Sequence, residues 1–172
     1  MENSLNISNV ERVDDVPVLL AQMQKMGTAS LLDKFFPTHQ NWKGLSLGGV
    51  VSAWLAHILS EGDHRLNSVQ DWATGLLGTL KDGLGVAALC ELDFSDDRLC
   101  TVLDYMGKND EQWQSYEREQ NATLLRVYDL RPRRVRIDST TAKSYVAVEP
   151  NGLFQFGHNK EHRPDLAQLK LT

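Results

Sequence analysis

Over the first three quarters of the chain, apolar residues recur at spacings of three and four, the interval that returns side chains to one face of an α-helix. Val16, Leu19, Leu20, Met23 and Met26 define the first such face, within residues 14–26, with Asp14 or Asp15 as its cap and Gly27 as its stop. A short segment, 30–36, ends at Pro37, and a polar loop containing Asn41, Trp42 and Gly44 leads to Ser46, a candidate cap. The helix that Ser46 opens, through about Leu59, is apolar nearly all round (Val50, Val51, Trp54, Leu55, Ile58, Leu59), so it is expected to run through the centre of a bundle. Gly48 and Gly49 should weaken its start. Leu66, Val69, Trp72, Ala73, Leu76, Leu77 and Leu80 predict one further helix over 66–80, broken at Gly83 and Gly85. Ser95 with Asp96 and Asp97 predicts a capped, acid-rich turn opening a helix through Leu99, Val102, Leu103 and Met106. A last helix is expected over 110–127, with Trp113, Tyr116, Leu124 and Leu125 on its buried side.

After Pro132 the period changes from helical to alternating. Residues 133–138 (RRVRID) read as a strand, residues 144–148 as a second, and residues 153–156, after the turn Pro150-Asn151-Gly152, as a third. Helices first and a strand meander afterwards predict an α+β chain in two units: an all-α domain over 14–127 and a strand-containing one over 133–172. No internal repeat or low-complexity segment interrupts either.

Composition adds the class. Of 172 residues, 41% are hydrophobic and 24% charged, the balance of a folded globular protein. No apolar run approaches the ~20 residues that span a bilayer, and the first residues lack the basic and apolar regions of a signal peptide, so a cytoplasmic location is expected. Cys90 and Cys100 fall in segments that read as helical and are taken as buried or incidental thiols. The formal net charge of −5 is unevenly distributed: residues 1–125 hold 9 Lys and Arg against 18 Asp and Glu, whereas residues 126–172 hold 9 against 5.

Two stretches carry possible chemistry. Arg136-Ile137-Asp138-Ser139-Thr140-Thr141 places an aspartate at the end of a strand. There it can project into a cleft and hold Mg²⁺ with further carboxylates, or it can begin a turn and accept from the amides of Thr140 or Thr141. Residues 157–165 gather His158, Lys160, Glu161, His162, Arg163 and Asp165 in one loop, in which Lys160 and Arg163 suit phosphate. His158 and His162, four apart, have the spacing of metal ligands on a helix, but Gly157 and Pro164 argue against a helix there.

Three motifs give the chain a resemblance to the DDE transposases of bacterial insertion sequences, whose catalytic domain is ribonuclease H-like. They are Asp63-His64-Arg65-Leu66-Asn67 with Val69 and Trp72, Leu92-Asp93-Phe94-Ser95-Asp96-Asp97-Arg98-Leu99, and residues 135–141 followed by residues 156–166. The first two resemble blocks of the family's helical amino-terminal domain; the third resembles its first catalytic strand and the segment leading into the third. The resemblance implies a metal-dependent enzyme that cuts and joins DNA, in which three acids hold two divalent ions. It makes Asp138 the first catalytic and Mg²⁺-binding acid, with Lys160, Arg163, His158 and His162 toward DNA. The other two acids lie on later elements than this sequence contains. The chain is therefore expected to be an amino-terminal fragment carrying an incomplete ribonuclease H-like domain, inactive alone, with element-end DNA and the full-length enzyme or another copy as partners.

Alternatives exist for most of these features. Trp54 and Trp72 suit a helical core better than a base-stacking surface, while Trp42 sits in a polar loop. His57 and His64 read as structural histidines, and Asp93, Asp96 and Asp97 as a helix start beside Ser95 rather than a metal cluster. The alternative to an enzyme component is a non-catalytic DNA-binding or multimerisation module that interferes with the complete transposase. The sparse cations before residue 126 favour multimerisation over DNA binding for the helices.

Overall fold

The computed structural model describes residues 10–134, 140–157 and 163–171, and the chain divides into two compact units, Met1–Leu130 and Arg131–Thr172. It is an α+β protein, mostly helical, with a small two-stranded antiparallel sheet among the described residues.

In the first unit the helices are α1 (Val16–Lys25), α2 (Thr28–Phe35), α3 (Leu47–Glu61), α4 (Val69–Thr74), α5 (Leu77–Leu84), α6 (Asp96–Gly107) and α7 (Asp110–Val127). Two 3-10 turns, Leu66–Ser68 and Glu91–Phe94, lie between them. Helix α3 is central, with Leu47, Val50, Val51, Ala53 and Ala56 buried, but it is not covered all round, because Leu55 and Leu59 are exposed. Val16 and Leu20 of α1, Leu32 of α2, Leu80 of α5, and Leu99 and Val102 of α6 join the same core. Trp54, Trp72 and Trp113 pack against it half-buried, as core residues and not as a stacking surface. Helix α7 docks through aromatic rings, with Trp113 and Tyr116 at 5.0 and 5.8 Å from the ring of Phe36. Its buried side is narrower than the sequence suggests, because Leu125 is exposed and Thr123 is the residue that is buried.

Several helix ends follow the sequence. Ser46 Oγ accepts from Gly49 N at 3.1 Å and Ser95 Oγ from Arg98 N at 3.3 Å, the expected caps. Gly27, at φ 66°, separates α1 from α2 in a left-handed conformation that favours glycine. Neither Asp14 nor Asp15 caps α1: Asp15 holds the cap position in a helical conformation and its side chain accepts no capping bond. Two helix starts also receive bonds from distant side chains. Asp33 Oδ1 accepts from Gly48 N at 2.7 Å, and Glu11 accepts from Gly78 N at 2.9 Å, from Thr79 N at 2.8 Å and from the Thr79 hydroxyl at 2.5 Å. The single helix expected over 66–80 is broken into the 3-10 turn, α4 and the start of α5, with Gly75 and Leu76 between the two helices. Helix α5 passes through Gly83 and stops at Gly85, where φ is 66°.

In the second unit, strand β1 (Thr140–Ser144) pairs antiparallel with β2 (Ala167–Leu171), Thr140 opposite Leu171 and Ser144 opposite Ala167. The expected strands shift accordingly. Arg133 and Arg134 lie in no regular element, while the rest of the strand expected over 133–138 falls outside the described residues. Residues 144–148 are not a strand, because pairing ends at Ser144, and 153–156 contributes a single bridge, Gln155 opposite Gln168. Strand β2, last in sequence, therefore lies between β1 and residue 155, so the three segments do not form a simple meander. The Gln155 side chain holds the preceding turn, its Nε2 donating to the carbonyls of Glu149 at 2.9 Å and Gly152 at 2.8 Å. Directly opposed residues share a face, so Thr141, Lys143, Gln168 and Lys170 line one side of the sheet. Ala142, Ser144, Ala167 and Leu169 line the other with Thr140 and Leu171.

Candidate functional site

Two of the three motifs form polar corners inside the helical unit. In the first, Asp63 accepts from Arg65 N and Nε, both at 3.0 Å, from Arg65 Nη2 at 2.9 Å and from the Ser68 hydroxyl at 2.9 Å, which fixes the 3-10 turn leading into α4. The bonds from Arg65 hold the Asp63 carboxyl well below the usual carboxylate range. Trp72 meets the imidazole of His57 edge-on, 5.1 Å between centroids. His57 is buried and its Nδ1 has no partner among the described residues; burial lowers its pKa, opposed by the charges of Asp63 and Glu61 and by the Asp63 backbone.

The second corner joins the loop before α3 to the turn before α6. Asp93 is buried, and its Oδ1 accepts from Leu45 N and its Oδ2 from Cys90 N, both at 2.9 Å. Arg98 lies 3.9 Å from Asp93, stacks 3.6 Å above the ring of Trp42 and donates to the carbonyls of Lys43 and Leu45. Trp42 Nε1 donates to the Leu45 carbonyl at 2.8 Å. Burial lowers the pKa of Arg98, with Asp93 acting against that shift. Gly44, at φ 81°, closes the loop so tightly that a Cβ there would lie 2.2 Å from Asp93 Oδ1. The motif thus splits by role. Asp96 and Asp97 stand in the first turn of α6, whereas Asp93 and Arg98 clamp backbone. Sequence reasoning missed Trp42 and Arg98 as partners 56 positions apart, and nothing in local spacing announces such a pair.

Neither corner presents a converging set of acids among the described residues. A hollow of about 170 Å³ between α1, α2, α3 and α5, lined among others by Leu20, Met23, Ser52 and Leu84, contains no acid, histidine or cysteine. Cys90 and Cys100 are free and exposed, so neither is a core residue.

Of the residues predicted for chemistry, Asp138, His158, Lys160 and His162 lie outside the described residues. Arg163 is described and exposed. Its Nε and Nη2 donate to the two carboxylate oxygens of Asp165 at 2.8 and 2.7 Å, which raises the pKa of Arg163 and lowers that of Asp165. Among the described residues no group of three or more His, Cys, Asp or Glu side chains is placed to hold a metal ion. Asp165 is committed to Arg163 and Glu149 stands exposed on a turn, so the described acids of this unit do not by themselves make a magnesium site.

By architecture the chain is an α+β protein, a closed helical unit joined to a small antiparallel sheet. No family model, curated protein or solved structure matches it. Among the described residues no helix is long and apolar enough to cross a membrane.

Proposed function

We propose that the chain is the amino-terminal part of an insertion-sequence DDE transposase acting in the cytoplasm, with Asp138 the first acid of its metal site and strand β1 the start of a ribonuclease H-like sheet. One observation supports this reading above the others. After the helical unit ends, the chain changes to strand-forming sequence and to a cationic balance together, and the motif around Asp138 runs directly into β1 at Thr140. In such an enzyme a carboxylate beside a strand holds Mg²⁺ with two later acids, and the ion supplies charge stabilisation for attack on a phosphodiester. This chain's part is to contribute one carboxylate and to bind DNA, without cleaving it alone.

The test is to incubate labelled DNA carrying candidate element ends with the protein, with and without Mg²⁺, and to repeat it with the sequence extended through the downstream acids. Binding without cutting is expected for residues 1–172, and Mg²⁺-dependent cutting, abolished by Asp138→Ala, for the extended protein. Cutting that survives Asp138→Ala overturns the assignment.

A second reading, a multimerisation module that interferes with the complete enzyme, is favoured by the large apolar side chains that the acidic helical unit exposes, Val18 and Leu59 among them. Dominant inhibition by a variant lacking all DNA affinity would support it.

A further inference from the structure

The hollow of about 170 Å³ between α1, α2, α3 and α5 has a dry end and a wet one. Its inner end is buried, with Leu20 at 1% and Ser52 at 2% exposure, and its outer end opens at the exposed Gln24 and Ser30. Met23 and Leu84 add half-buried apolar wall. Little side chain is available to fill the space. Gly27, also in its lining, has the positive φ that favours glycine, and a Cβ built there would meet nothing within 4 Å. Among the described residues no charged side chain lines the hollow.

Ser52 is not explained by packing alone. A serine inside a helix either donates its hydroxyl to the carbonyl four residues back or turns it to solvent. The Ser52 hydroxyl does neither: Oγ is buried and has no hydrogen-bond partner among the described residues. An unpaired buried hydroxyl is unfavourable, and alanine would suit this position in α3 better on both helix propensity and solvation. Water is a poor occupant of the inner end, because Leu20, Met23 and Leu84 offer it no hydrogen bonds. An apolar cavity of about 150 Å³ takes up benzene, so this one matches a six-membered ring in bulk. The uncharged walls disfavour a carboxylate or an amine, which would lose its hydration without gaining a partner.

We propose that the hollow is a binding site for a small neutral molecule with one hydroxyl on an apolar body of about six carbons, the phenol class, whose hydroxyl pairs with that of Ser52. Rotation about the Cα–Cβ bond of Ser52 turns its hydroxyl toward the ligand, and Leu20, Met23 and Leu84 surround the ring. Because four helices form the walls, the ligand ties them together and stabilises the folded state. The site is independent of the transposase assignment and lies wholly within the helical unit.

The experiment titrates phenol, benzene and benzoate separately into the isotopically labelled 172-residue protein and follows its amide resonances by NMR. Phenol should shift the amides of Met23, Gln24, Ser30, Ser52 and Leu84 and saturate below about 10 mM. Benzoate should leave them unmoved. Ser52→Ala should fold at least as stably as the wild type, and its ratio of phenol to benzene affinity should fall about fivefold, the effect of one lost hydrogen bond. Ala29→Leu, which fills the hollow from α2, should abolish binding of both rings. Circular dichroism checks that the variants fold, and Ser52→Ala decides the matter if Ala29→Leu does not. Shifts that stay linear with phenol concentration, shifts centred on other residues such as those of α7, or benzoate binding as tight as phenol overturns the proposal. So does an unchanged affinity ratio in Ser52→Ala or undiminished binding in folded Ala29→Leu.

Discussion

His57 shows how much a single position depends on its surroundings. Its place on an apolar helix face gave the expectation of a structural histidine, and it is buried, yet its Nδ1 has no partner among the described residues. Burial disfavours the imidazolium, so its folded pKa lies below its ordinary value, and the unfolded chain binds the extra proton first as pH falls. The stability His57 allows is therefore complete above about pH 6.5 and is lost as pH falls from there toward the folded pKa. The urea midpoint should decline between pH 7 and 5.5 in the wild type and stay level over that window in His57→Gln; parallel declines would show that other groups cause it. The residues that clamp the loop before α3 were less legible. Ser95 could be read from its neighbours, but Asp93 looked like one more acid at the same helix start, and only the fold brings the Leu45 amide and Arg98 to it.

Elements were legible where one signal sufficed and illegible where two competed. Helix α7 covers the span that its periodicity predicts, whereas the stripe Val69, Ala73, Leu76 and Leu80 is buried continuously across the gap between α4 and α5. Periodicity reports the shared core, not the interruption. Gly48 and Gly49 present the opposite conflict. Local propensity marks them as weak helix formers, but a Cβ on Gly48 would lie 2.0 Å from the carbonyl oxygen of Ala29, so the glycine is what lets α2 lie against α3. Propensity alone predicts that Gly48→Ala gains about 1 kcal/mol. The clash is with backbone and cannot be relieved by a rotamer, and the substitution should cost about 2–3 kcal/mol net, read as a lower denaturant midpoint. A gain in stability would show that α2 and α3 can separate cheaply. In the second unit the strands were misplaced because alternation over 144–148 and 153–156 marks residues able to pair, while pairing itself depends on residues 167–171.

At the scale of the molecule, two units and their opposite charge balance were readable from residue types, because both are sums over long stretches. The ribonuclease H-like assignment was carried by resemblance, and the acid on which it centres lies outside the described residues. The units also differ in how much they bury. The helical one has a continuous core, while the second leaves Tyr145, Leu153 and Phe156 at 88, 79 and 62% exposure, with Ala167 its buried hydrophobic residue among those described. A two-stranded sheet with so little covered surface opens readily. Limited digestion followed by mass spectrometry should cut within 131–172 well before 16–127; equal resistance would show that the second unit is held by something besides its own packing. The position of β2 also sets an order on biosynthesis. Since β1 and residue 155 both pair with residues 167–171, a ribosome at work can let the helical unit fold early, but the sheet must wait until that last strand has cleared the exit tunnel. Until then the arginine-rich stretch has already emerged, and a nascent polypeptide can meet nucleic acid before its own sheet has closed.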